Sequence, residues 1–117
     1  GEETGTTAGI YAGAGAFIVE NCKISNNRAD LRAAAFFSTC DLIFKNNVVS
    51  HNLTDEIFGV ITVSRSDAII TGNTFAENIA PENELVHLYK SNIEIRKNLI
   101  ICCLTYDITS FGFWMFI

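Results

Sequence analysis

Ala68-Ile69-Ile70-Thr71-Gly72-Asn73-Thr74-Phe75-Ala76-Glu77-Asn78 is the stretch that decides the fold. It opens with an apolar triplet, places Asn three residues later, an apolar residue two further on, and a second Asn three beyond that. The same layout recurs as FIVENCKISNN at 17–27, LIFKNNVVSHN at 42–52 and IEIRKNLIICC at 93–103. The successive offsets are 25, 26 and 25 residues.

Working outward, a second triplet lies seven residues upstream of each first one: Ile10-Tyr11-Ala12, Ala35-Phe36-Phe37, Ile61-Thr62-Val63 and Val86-His87-Leu88. Phe111-Gly112-Phe113 opens a further repeat in register. Between the triplets stand Cys40-Asp41, Ser66-Asp67 and Ser91-Asn92, polar dipeptides of the kind that turn a chain by bonding to nearby backbone. The only length change falls after the last Asn: seven residues at 28–34, 79–85 and 104–110, but eight at 53–60. Insertions collect in exposed loops, so the repeat has a constant part and a loose part.

Short apolar-x-apolar runs bounded by bends read as strands. A repeat this short cannot bury its own apolar face, but stacked copies share a continuous core, with equivalent residues about 4.8 Å apart. The pattern predicts an all-β parallel β-helix, a solenoid of about four coils of 25–26 residues. Its inward columns are Phe17/Leu42/Ala68/Ile93, Val19/Phe44/Ile70/Ile95 and Ile24/Val49/Phe75/Ile100. Asn47, Asn73 and Asn98 form an inward ladder in which stacked amides satisfy one another, and Cys22 ends it. A leucine-rich repeat is the rival, because 93–100 fits L-x-L-x-x-N-x-L. That fold wants an aliphatic residue where Ala14, Thr39, Arg65 and Lys90 stand, and it has no constant strand seven residues upstream.

Composition agrees. The chain has 117 residues, 49% hydrophobic and 18% charged, which is enough for one domain with a core. It holds eleven Asn and one Pro. The net charge of −5 argues against a nucleic-acid partner, which draws on clustered Lys and Arg. Residues 99–117 are apolar but carry Asp107, Thr105, Thr109 and Ser110, so they read as strand rather than membrane span. The chain begins at Gly1 and ends inside an apolar run, and is read as a single β-helix unit over 1–117 belonging to a longer chain. Membrane association is expected only through regions outside it.

These repeats resemble the right-handed parallel β-helix, or pectin-lyase-like, superfamily, and within it the short repeats of polymorphic outer-membrane proteins. Phe75-Ala76-Glu77-Asn78 matches that group's F-x-x-N element, and 24–27 and 49–52 match it with aliphatic replacements. Ala8-Gly9-Ile10-Tyr11 and 32–36 look like worn versions of its G-G-A-I strand, while 58–61 and 85–88 depart further. The resemblance implies the right-handed solenoid and spans nearly the whole chain. It leaves function open among adhesins, secreted polysaccharide-degrading enzymes and phage tailspikes.

The outward column Glu20/Lys45/Thr71/Arg96 lies where the superfamily's sugar enzymes hold their sites. Such chemistry needs two or three clustered carboxylates, for Ca²⁺ or for acid–base work. This column alternates in sign, so it reads as a cross-strand charge ladder, with a saccharide-binding groove as the functional alternative. Asp30, Asp55, Glu56, Glu82, Glu84 and Asp107 recur at similar places in the variable segments; they read as solvated loop charges, with a hard-cation edge as the alternative. His51 at a bend and His87 on an outward position have no partner at metal-ligand spacing. No cofactor is expected. Cys22, Cys40, Cys102 and Cys103 are expected as free, mostly buried thiols, since the rungs separating them exceed disulfide reach. The sequon Asn52-Leu53-Thr54 is set aside because Asn52 belongs to the repeat.

The outward column Ile18/Ile43/Ile69, with Tyr11 and Phe36 also outward, is apolar where water is expected. It favours binding over catalysis: an extracellular or cell-surface scaffold with an adhesin-like role, its partner a protein or a saccharide. The alternative is part of a polysaccharide lyase or glycoside hydrolase whose catalytic coils lie elsewhere.

Overall fold

The computed structural model describes residues 2–3, 9–29, 34–54, 60–101, 104–111 and 114–116. Among them there is strand and no helix. The first coil runs Ile10–Glu20, Lys23–Ser25 and Arg28–Ala29; the second runs Ala35–Lys45, Val48–Ser50 and Leu53–Thr54. The third runs Ile61–Ser64, Asp67–Thr71 and Thr74–Ala76, and passes through Ile79–Tyr89 into the fourth. Asn92–Arg96, Leu99–Ile101, Leu104–Phe111 and Trp114–Phe116 complete the order, while Glu2–Glu3 pairs with Arg28–Ala29 at the other end.

Every strand pairing is parallel, and each joins a strand to its counterpart one repeat away. Phe17, Leu42, Ala68 and Ile93 are consecutive register partners, and so are Ile24, Val49, Phe75 and Ile100. The predicted columns therefore exist. Lys23, Val48, Thr74 and Leu99 mark four rungs and three turns' advance of a parallel β-solenoid.

The variable segments hold a short strand that the sequence reading assigned to the loose part. Arg28, Leu53, Ile79 and Leu104 stack as parallel partners, with Ala29 and Thr54 buried beneath them. The strands Arg28–Ala29 and Leu53–Thr54 are too brief to show any periodicity, and in the later coils the segment runs on into a longer strand. The remainder of these segments at 30–33 and 55–59 lies outside the described residues.

Among the described residues the coils turn at three columns of corners, and each corner is one residue in the left-handed region. The columns are Ala14/Thr39/Arg65/Lys90, Asn21/Asn46/Gly72/Lys97 and Asn26/His51/Glu77. The non-glycine members have φ between 46° and 58°. Such a backbone costs about 1 kcal/mol per L-residue, and Asn and Gly carry it most easily. The residue after the corner offsets the cost by pointing a small polar side chain inward.

At the second corner this is the predicted amide ladder. The Asn47 backbone N–H and side-chain amide both donate to Asn73 Oδ1, at 2.9 and 3.1 Å, and Asn73 donates likewise to Asn98 Oδ1 at 2.9 and 3.0 Å. The other amide hydrogen of Asn73 goes to the Phe44 carbonyl at 2.9 Å. The side chain thus uses both donors and accepts twice, so its burial leaves nothing unsatisfied. Asn27, Asn52 and Asn78 build a second ladder of the same form at the third corner. At the first corner the device is shorter: Ser66 Oγ donates to the Ser64 carbonyl at 2.8 Å and accepts from Cys40 N–H at 3.1 Å. Ser66 N–H donates in turn to Ser91 Oγ, also at 3.1 Å.

Inside the three walls sits one apolar core, with Phe37, Phe44, Phe75, Ile61, Ile70, Leu85 and Leu88 fully buried. Phe37 meets Phe44 edge to face, with ring centroids 6.0 Å apart. Columns lose cover at the ends. Ile100 shares the column of Val49 and Phe75 but is 41% exposed, and Phe17 and Val19 on the first coil are only partly buried.

Candidate functional site

Strand alternation sends residues 17 and 19 of each unit inward and 16, 18 and 20 outward. The second strand of every coil therefore displays three columns side by side: Ala16/Asp41/Asp67/Asn92, Ile18/Ile43/Ile69/Glu94 and Glu20/Lys45/Thr71/Arg96. The first two columns line an open trough of about 790 Å³ that runs across the coils. Its apolar part is Ile18 at 66% exposure, Ile43 at 37% and the half-buried Ile69, and Glu94 closes the row.

The outer column does stack as Glu20, Lys45, Thr71 and Arg96. Arg96, however, turns along its own strand to Glu94, with Nη1–Oε1 at 3.0 Å. Both groups are substantially exposed, so the pair contributes a few tenths of a kcal/mol.

The inner column differs from the sequence reading. Cys40-Asp41 and Ser66-Asp67 read from sequence as bends, which predicts no carboxylate pair on consecutive outward strand positions. In the structure Asp67 begins the strand Asp67–Thr71, Asp41 lies within the continuous strand Ala35–Lys45, and they are direct register partners, both exposed. Like charges stacked at one strand spacing repel. Asn92 Nδ2 donates to Asp67 Oδ1 at 2.9 Å, and Arg65 and Lys90 line the polar groove on the corner side of the same column. The signal was present in the sequence, since Asp41 and Asp67 are one repeat apart, but a polar residue at a bend looks the same whether it turns the chain or starts the next strand.

Three of the predicted binding residues, Ile18, Ile43 and Ile69, thus come together with Asp41 and Asp67 in one trough, and the ladder residues Asn47, Asn73 and Asn98 lie on the inward side of that wall. Asp30, Asp55 and Glu56 lie outside the described residues. Glu82, Glu84 and Asp107 fall within strands, but their side chains are outside the description. Among the described residues there is no group of three or more His, Cys, Asp or Glu placed to hold a metal. His51 has a carboxylate neighbour that spacing along the chain did not reveal: its Nε2 meets Glu77 Oε2 across one rung.

The thiols depart from expectation in one place. Cys40 is buried, but Cys22, at the end of the ladder among the described residues, is exposed; both are free. Cys102 and Cys103 lie outside the described residues. Asn52 is 1% exposed and its amide serves the second ladder, so the sequon has no amide open to a glycan.

On the first strand, the outward columns are Tyr11/Phe36/Thr62/His87 and Gly13/Ser38/Ser64/Tyr89. Tyr11 and Phe36 pack edge to face at 5.0 Å, and Arg65 and Lys90 each stand 5.3 Å from the centre of the Tyr89 ring. No helix among the described residues is long and apolar enough to cross a membrane.

A parallel solenoid with an open apolar and acidic trough on one wall is the class of protein that fold and surface define. The chain matches the family model for the right handed beta helix region over residues 3–114, and it belongs to that family. No curated protein and no solved structure matches it.

Proposed function

We propose that this chain is a recognition scaffold displayed outside the cell, adhesin-like, which binds another protein along the Ile18/Ile43/Ile69 trough. The observation that carries the reading is the trough itself: β-branched apolar side chains stacked on an outward wall, bordered by Asp41 and Asp67 and capped by Glu94. A contiguous exposed apolar strip on a soluble face marks an interaction site. Its acidic rim suits an extended segment that alternates aliphatic residues with Lys or Arg. The likeness of 75–78 to the F-x-x-N repeats of polymorphic outer-membrane proteins supports the location. The free Cys22 and Cys40 argue against an oxidising compartment, and antibody labelling of intact cells decides between them.

A peptide array of alternating aliphatic and basic sequences tests the binding. Capture is expected with the native chain and should vanish for the Ile43→Lys/Ile69→Lys double variant while its melting transition is kept. Equal capture by both proteins overturns the reading.

The Asp41–Asp67 pair favours a second reading, in which the wall is part of a polysaccharide lyase or hydrolase or holds a saccharide. Two adjacent carboxylates can share acid–base work. The pair has Ala16 and Asn92 as its stacked neighbours rather than a third carboxylate, so binding stands first. Incubation with a panel of acidic polysaccharides separates the two: chain cleavage that Asp41→Asn abolishes would establish the enzyme.

A further inference from the structure

Along the first corner, charge of both signs is left unspent around one groove. Successive rungs there read exposed, buried, exposed: Thr39-Cys40-Asp41, Arg65-Ser66-Asp67 and Lys90-Ser91-Asn92. Arg65 and Lys90 stand on one bank, Asp41 and Asp67 on the other, and an open polar groove of about 530 Å³ runs between them. The floor is spent, since Ser66 Oγ accepts from Cys40 N–H and donates to the Ser64 carbonyl. The banks are not. Among the described residues no carboxylate pairs with Arg65 or Lys90, and no cation pairs with Asp41 or Asp67.

Both cations rest against the Tyr89 ring, each 5.3 Å from its centre, which keeps them beside the groove. The two carboxylates are stacked register partners, and like charges so placed repel. The contact that Asp67 receives is neutral, from the Asn92 amide. A ligand that carries both signs answers this pattern. An ammonium has three donors and can bridge two carboxylates on neighbouring rungs. A carboxylate takes the forked donors of a guanidinium.

The banks are also offset. The acids occupy the second and third coils and the bases the third and fourth. The midpoint of one pair therefore lies one rung from the midpoint of the other along the solenoid and two residues away across the corner, a separation of about 7–8 Å between the columns. An extended lysine holds its ammonium and its α-carboxylate about 7 Å apart. Only a lysine that ends a chain keeps that carboxylate, because inside a chain it is an uncharged amide.

We propose that this groove is a binding site for a C-terminal lysine, its ammonium between Asp41 and Asp67 and its carboxylate on Arg65 and Lys90. The groove shares Asp41 and Asp67 with the apolar trough, so the proposal deepens the binding reading by naming how the partner's segment ends. It rests on that reading for the partner being a protein, and a small zwitterion tests the groove without it.

The probe is ε-aminohexanoate, which is lysine without its α-amino group, followed by chemical-shift titration of the Asp41, Arg65, Asp67 and Lys90 amides in the full chain. So small a ligand is expected to bind in the millimolar range. Hexylamine and hexanoate keep one charge each, and glycine holds its charges too close together to reach both banks; each is expected to bind about fivefold more weakly. Asp41→Asn/Asp67→Asn and Arg65→Asn/Lys90→Asn are expected to weaken ε-aminohexanoate by about the same factor, and Asn tolerates the left-handed corner. Where a double variant does not fold, the control ligands decide alone. A peptide ending in lysine is expected to bind about fivefold more tightly than the same peptide amidated at its C-terminus. Ile43→Thr weakens the trough, leaves the banks in place and is expected to keep the native affinity for ε-aminohexanoate. Saturable ε-aminohexanoate binding beside a failed peptide array upholds the groove and removes the trough; the reverse removes the groove alone. Unsaturable shifts, a control ligand that binds as well as ε-aminohexanoate, a folded double variant that binds it as the native chain does, its loss in Ile43→Thr, or equal binding of the free and amidated peptides each overturn the proposal.

Discussion

Asn73 Oδ1 accepts two hydrogen bonds from Asn47, one from the backbone and one from the side chain. One atom therefore terminates two buried donors of the coil below. Replacing Asn73 by Ala leaves both without a partner and also frees the Phe44 carbonyl. Stranded buried groups cost about 1–3 kcal/mol each, so Asn73→Ala is expected to lower stability by about 3 kcal/mol in urea unfolding. Asn98→Ala at the less covered end is expected to cost about half as much, and equal losses would show that the ladder is not what holds the second corner.

Phe75 and Ile100 share a column but not an environment, since Phe75 is 2% exposed and Ile100 41%. Phe75→Ala removes a fully packed ring and is expected to cost about 3–5 kcal/mol, whereas Ile100→Ala should stay below about 1 kcal/mol. Thermal melts of the two variants compare them directly.

Ser66 joins three coils at the first corner: its Oγ accepts from Cys40 N–H and donates to the Ser64 carbonyl of its own coil, and its N–H donates to Ser91 Oγ. Ser66→Ala is expected to cost about 1–2 kcal/mol, while Ser66→Asn, which can still accept, should recover part of it. Hydrogen exchange at Cys40 N–H provides a local readout: it should accelerate in Ser66→Ala and stay close to native in Ser66→Asn.

The thiols should separate kinetically. Cys22 is exposed and Cys40 is buried, so a thiol-specific dye should label Cys22 before unfolding and Cys40 only after it. Cys22→Ser is expected to remove one fast equivalent, and Cys40→Ser none.

The solenoid was legible because its signal is repeated. A period of 25–26 residues with two fixed strands and an Asn at a constant offset leaves few ways to bury Phe44, Ile70 and Ile95. Stacking then fixes which side chains are neighbours, so the Asn47–Asn73–Asn98 ladder follows from arithmetic on residue numbers. What stayed hidden were features that occur only once or lie at boundaries. Asp41 and Asp67 looked like turn residues because the sequence does not say on which side of the bend the strand begins. The left-handed corners are occupied by Ala14, Thr39, Arg65, Lys90 and Glu77 as well as by Asn, so composition marks only some of them.

The left-handed corners have a practical consequence. At the first one, four chemically unrelated residues, Ala14, Thr39, Arg65 and Lys90, hold the same backbone shape. Any side chain written there is printed on a fixed scale, one mark about every 4.8 Å. This edge is a graduated rule whose markings can be exchanged without bending the ruler, and a designer wanting charges or labels at sub-nanometre pitch would begin with those four positions.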